Sequence, residues 1–200
     1  MEKIKFKTYH KKILSDKLTP VSIYLKLRDK FANSLLLESS DYDVNNKNFS
    51  YICCDAIASI SVKDGKITYT YPGQKKITTK IKKNESLPNI IKNFSKKFDY
   101  KHKKYNFITN GLFGYIAHEA VSHFEDLDLD KNKDDLEIPE LYYAVYKYII
   151  SVSLFNHEAH IFCHSTNNKN DIEIIDKLLK KDVPTNYNFS KKGEKNSNLT

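Results

Sequence analysis

The chain has 200 residues, 40% of them hydrophobic, which is enough for one core and too short for several domains. Its formal net charge is +8, which raises nucleic acid as a partner, yet Arg28 is the only arginine and the lysines are spread along the chain. Readers of bases and phosphates lean on the planar arginine fork, so the lysines read as an ordinary solvated surface.

The residues from Met1 carry Glu2, Lys3, Lys5 and Lys7 and lack the apolar stretch of a signal peptide. No apolar run approaches membrane-spanning length. Cys53, Cys54 and Cys163 are odd in number and show no Cys-x-x-Cys spacing. They read as reduced thiols in apolar strands, and the protein as cytoplasmic.

Thr19-Pro20 reads as the cap and first position of a helix that runs towards Phe31. Leu35 to Ser39 is a short strand, and Asp41 to Lys47 a polar loop. Phe49 to Cys54 and Ala56 to Val62 read as strand. Asp64-Gly65 is a hairpin turn, Lys66 to Tyr71 the returning strand, and Pro72-Gly73 the next turn. Leu87, Ile90, Ile91 and Phe94 fall on one face of a helix over 85–98. Gly111 to Ile116 reads as a strand whose glycines admit another backbone closely, followed by a short helix from His118 to Phe124.

Asp126 to Asp135 is an acidic loop. Leu141 to Phe155 and Ala159 to His164 form two strands around a turn at 156–158, and Asp171 to Leu179 is the final amphipathic helix. The polar stretch 182–200 reads as a linker. Hairpins interrupted by helices give an α+β class, a twisted, mainly antiparallel sheet with flanking helices.

Two motifs tempt and fail. His118 and His123 stand five apart, about 140° around a helix, where a zinc helix needs a spacing of four. Asp126, Asp128, Asp130 and Glu137 match positions of a calcium loop, but Lys131 occupies the position that must turn sharply.

The run Leu35-Leu36-Leu37-Glu38-Ser39 carries more chemistry. A buried strand that ends in an acid and a hydroxyl sets a charge at the rim of an apolar pocket. That suits an amphiphilic ligand with an ammonium group, such as an amino acid. On the residues alone, a surface strand cap explains Glu38 and Ser39 as well.

The run resembles the Leu-Leu-Glu-Ser signature of anthranilate synthase component I, the chorismate-using subunit. Further stretches resemble that family in the same order: Phe49-Ser50-Tyr51-Ile52 with Asp55-Ala56, Gly111-Leu112-Phe113-Gly114-Tyr115, Phe124-Glu125, and Asp134-Asp135-Leu136-Glu137-Ile138-Pro139-Glu140. The resemblance implies that 1–181 corresponds to the family's N-terminal region. It implies that 182–200 is a linker towards a C-terminal chorismate-binding catalytic half.

It further implies that Glu38 and Ser39 bind tryptophan as feedback inhibitor. On this reading no catalytic residue and no metal ligand lies in the chain, and Mg2+ binds in the C-terminal half. The implied partner is a glutamine amidotransferase subunit (component II), and the implied small molecules are chorismate and L-tryptophan. The family often places a lysine or arginine near the aromatic–Ser strand. Here an ungapped reading puts Phe49 near that position, and Lys47 is the nearest base. The sister family, aminodeoxychorismate synthase component I, and a stand-alone amino-acid-binding module are the alternatives.

Overall fold

A computed structural model describes residues 3–38, 48–82, 85–101, 105–125, 138–153, 155–182, 190 and 192–193. Its elements in chain order are β1 (Ile4–Leu14), α1 (Pro20–Arg28), β2 (Leu35–Leu37), β3 (Phe49–Lys63), β4 (Lys66–Thr70), β5 (Ile77–Lys80) and α2 (Leu87–Ser95). β6 (Phe98–Lys101), β7 (Phe113–Ile116), a 3-10 turn (His118–His123), β8 (Leu141–Ser153), β9 (Glu158–Ser165) and α3 (Ile172–Leu179) follow.

The nine strands form one sheet in the order β5-β4-β3-β8-β9-β1-β6, with β2 paired to β3 and β7 to β8. Every pairing is antiparallel except β1 with β6. The class is α+β, as the sequence predicts. The spine is the long β3–β8 pair, registered from Phe49↔Ser153 to Val62↔Leu141. The two halves expected for β3 are one strand, kinked where the register shifts between Ala56 and Ala58. Asp55 beside the kink holds φ +62°, a left-handed conformation that Asp tolerates because its short carboxylate can bond locally.

Three buried clusters hold the sheet. In the first, Ile23 and Leu27 of α1 and Ile175 and Leu179 of α3 pack against Ile52, Tyr148, Ile150 and Ile161. In the second, Leu87, Ile90 and Phe94 of α2 meet Ile60, Val62, Ile67, Phe98 and Phe6. The third joins Cys53, Phe113, Tyr146, Ile149 and Phe162.

α1 starts as the sequence indicates: Thr19 and Ser22 exchange side-chain and backbone hydrogen bonds in a capping box, with Pro20 in the first turn. It stops at Arg28, short of Phe31. α2 likewise ends at Ser95, and Phe98 opens β6, paired Ile4↔Phe98 alongside β1. β8 ends at Ser153, β2 at Leu37, and β7 starts only at Phe113. Of the described helices, none is long and apolar enough to cross a membrane.

Candidate functional site

The Leu35–Leu37 strand is short because only three residues pair: Leu35↔Cys53, Leu36↔Ile52 and Leu37↔Tyr51. Its entry is fixed. The Ser34 hydroxyl donates to the Phe31 carbonyl at 2.7 Å, and the Tyr146 hydroxyl donates to the Asn33 carbonyl at 2.9 Å. Asn33 turns the chain with φ +57°. Leu36 packs against the first cluster and Leu35 against the third. Leu37 at the end is 38% exposed.

Glu38 follows directly and is exposed, and it makes no hydrogen bond or ion pair among the described residues. Its carboxylate is hydrated and available. Ser39 and Lys47 lie outside the described residues, as do Asp126, Asp128, Asp130 and Glu137 of the calcium-like pattern and the loop 126–137.

Beside Leu37 the structure assembles an aromatic tract. Tyr51 stands opposite Leu37 in the ladder. The Phe49 ring stacks on Phe107 at 4.6 Å, and Tyr51 lies 6.4 Å from both Phe49 and Phe113. The Ile108 amide donates to the Tyr51 hydroxyl at 3.3 Å, and the Ser151 hydroxyl donates to the Ile108 carbonyl at 3.1 Å. Burial raises the Tyr51 hydroxyl's pKa, and the bond from Ile108 only partly opposes it, so the phenol stays neutral. The tract supplies stacking area on the Leu37 face of the strand, and Glu38 is the next residue along the chain. Phe107 was not legible as part of this place, because it reaches Phe49 across the fold. Alternating Phe49 and Tyr51 was the available signal.

The other motif residues acquire structural explanations. A Cβ on Gly114 would lie 1.9 Å from the Tyr142 carbonyl oxygen, so only glycine lets β7 pair there with β8. Gly111 is different: space around it is open and its φ of +141° sets its identity, so the expected close approach belongs to Gly114 alone. Glu140 clamps three pieces together. Its carboxylate accepts from the Asp64 amide at 3.1 Å and pairs with His123 at 2.5 Å, while its carbonyl accepts from the Ala117 amide at 2.8 Å.

His123 is thereby held by Glu140, and His118 is exposed. Among the described residues, no group of three His, Cys, Asp or Glu side chains could hold a metal ion. The resemblance places its Mg2+ in the C-terminal half, away from these residues. All three cysteines are buried, and burial pushes each thiol's pKa up, the reverse of an activated nucleophile.

The chain is similar to anthranilate synthase component 1 of Thermus thermophilus, 30% identical over 144 residues, covering 72% of this chain and 29% of the relative. It is similar to the same enzyme subunit of Lactococcus lactis, 24% identical over 149 residues, covering 74% and 30%. The Arthrobacter globiformis protein of that name is 27% identical over 131 residues. This chain is a relative of anthranilate synthase component I. It spans less than a third of the length of the curated relatives it matches.

A solved structure of anthranilate synthase component I from Streptococcus pneumoniae aligns with a TM-score of 0.47 and 17% identity, covering 84% of this chain and 34% of that one. No family model matches the chain.

Proposed function

We propose that this chain supplies the N-terminal, tryptophan-sensing region of an anthranilate synthase component I. The complete enzyme would aminate chorismate with ammonia and eliminate pyruvate to give anthranilate, in tryptophan biosynthesis. The ammonia would come from glutamine, hydrolysed by a component II amidotransferase subunit. The observation that carries the reading is the likeness to four curated proteins of one name, covering 65–74% of the chain.

The proposed role is assigned to particular side chains. Glu38, exposed and without a competing partner among the described residues, takes the ammonium group of tryptophan in a charge-assisted hydrogen bond. Ser39, by the resemblance, meets the polar end of the ligand. The leucines that precede Glu38 support the pocket, and the indole supplies apolar contact area against them. Once the ligand covers Glu38, the charge-assisted bond it gains is worth about 1.5–3 kcal/mol, as for hydrogen bonds to charged groups. Inhibition requires that tryptophan bind one conformation better than another, the favoured one being less able to take chorismate or couple to the amidotransferase.

The test follows anthranilate formation from chorismate and ammonium by the protein as its gene encodes it, with tryptophan titrated in. Anthranilate formation and its suppression by tryptophan are expected. Formation of aminodeoxychorismate instead would assign the protein to the sister family, and neither product would overturn the enzymatic reading.

A further inference from the structure

Away from the tryptophan site, the far end of the sheet carries a feature that the ladder makes costly. Lys63 of β3 stands directly opposite Lys66 of β4, and Lys66 directly opposite Lys80 of β5. Residues paired this way project to the same side of a sheet, so three ammonium groups lie in one row. Strand spacing sets them about 4.8 Å apart at the backbone. Like charges directly opposite are unfavourable. Val62 and Ile67 alternate with these lysines and are buried in the second cluster, so the lysines face away from it.

None of the three lysines forms an ion pair or hydrogen bond among the described residues. Glu140, at the foot of the row, is already committed to the Asp64 amide and His123. The next row on the same side is hydroxylic: Ser61, Thr68 and Thr78, with the Thr68 and Thr78 hydroxyls bonded at 3.1 Å.

The row ends at an open edge. β5 closes the strand order, its four residues are all exposed, and its outer side is unpaired among the described residues. Ile77 on this strand is 46% exposed. An edge offers a ladder of alternating backbone donors and acceptors that an extended peptide can continue as a further strand. The scarcity of arginine points the same way.

We propose that the β5 edge, with Lys63, Lys66 and Lys80, is a docking surface for an acidic, extended segment of a partner protein. The segment adds as a further strand beside β5. It sets a carboxylate next to Lys80, in line with Lys66 and Lys63, and an apolar side chain over Ile77. The hydroxyl row accepts or donates to its remaining polar groups. Docking neutralises the lysine row and satisfies the open edge together.

The experiment titrates the protein with a fluorescently labelled peptide of alternating Asp and Leu and follows anisotropy. A variant with Lys63→Gln, Lys66→Gln and Lys80→Gln is compared with a charge-matched variant, Lys17→Gln, Lys30→Gln and Lys92→Gln, whose lysines are exposed elsewhere. Removing the three lysine charges that face the segment's carboxylate should weaken binding about tenfold in the first variant and leave the second close to wild type. Amide hydrogen exchange at Ile77 to Lys80 should slow when the peptide is bound.

Equal weakening in both variants would show attraction by net charge alone and overturn the proposal. Binding without slowed exchange in β5 would overturn strand addition. Single-stranded DNA of matched charge binding as tightly, with the same dependence on the three lysines, would assign the row to nucleic acid instead. A row that merely guards the edge against self-association would leave the peptide unbound, while Lys80→Gln would oligomerise.

Discussion

Replacing Gly114 by Ala tests the packing logic of the β7 motif most sharply. The added Cβ would sit 1.9 Å from the Tyr142 carbonyl oxygen, 2.8 Å from its carbonyl carbon and 2.9 Å from the Tyr143 Cα. All three atoms are backbone of β8, and β8 is held on its other side by the pairs Ser61↔Tyr142 and Ile60↔Tyr143. β8 therefore cannot yield, and β7 must retreat from 1.9 Å to an ordinary contact of 3.4 Å or more.

That retreat breaks the four pairs from Phe113↔Ala144 to Ile116↔Leu141 and uncovers Phe113, now 6% exposed. Uncovering a phenylalanine costs about 1.5–3 kcal/mol, and each lost ladder bond about 0.5–1.5 kcal/mol net. A total loss of about 3–5 kcal/mol is expected, a large part of a small domain's stability. Urea unfolding followed by circular dichroism gives the loss, and hydrogen exchange at 113–116 reports whether β7 has detached. A loss below about 1 kcal/mol with exchange unchanged would refute the reasoning, since even simple overpacking costs more. Gly65→Ala is the contrast: nothing lies within 4 Å of its Cβ, so only its φ of +66° is penalised, by about 1 kcal/mol.

Asp55→Ala should cost about 1–2 kcal/mol in the same urea assay, because alanine resists the left-handed conformation, while Asp55→Asn should stay within about 0.5 kcal/mol. Asp171 stands just before α3, makes no side-chain cap bond, and accepts from the Lys147 ammonium at 2.6 Å, which holds its carboxyl below the usual carboxylate range. Burial alone would lower Lys147, but its bonds to Asp171 and Tyr148 outweigh that and raise it. A depressed carboxyl stabilises the fold above its unfolded pKa and loses that contribution as pH falls through the folded one. Stability should therefore drop below about pH 4, and Asp171→Asn should flatten that acid limb in urea titrations across pH. The three thiols should stay inert to a disulfide-exchange reagent in the native protein and react at the rate of unfolding; immediate native reaction would contradict their burial.

Much of the fold could be read from the residues because the signals were local. Thr19-Pro20 announces α1, Asp64-Gly65 the β3–β4 hairpin, and the long β-branched and aromatic run the strand β8. β1 escaped because its burial is slight: of its eleven residues only Phe6 is buried, and lysines occupy the alternate positions of its first half. The alternation Ile4, Phe6, Thr8 against Lys5 and Lys7 was the usable signal. β5 escaped because all four residues are exposed and pairing alone defines it. Helix ends fell short where tertiary pairing claimed the next residues, as at Phe98, which starts a parallel strand beside β1.

Of the candidate site, the sequence pointed only to its acidic end. Glu38 could be singled out from its place after three leucines, whereas the neighbouring tract needs Phe107, brought to Phe49 from 58 positions away in the chain. Glu140 shows the same limit: its partners, Asp64 and His123, come from separate segments.

Isothermal titration calorimetry with L-tryptophan measures binding at the proposed site directly. Measured on the protein as its gene encodes it, wild type should bind, and Glu38→Gln should weaken binding by about ten- to a hundred-fold, the equivalent of about 1.5–3 kcal/mol. Equal affinity in the two proteins would remove the carboxylate from the effector's amine and with it the regulatory account.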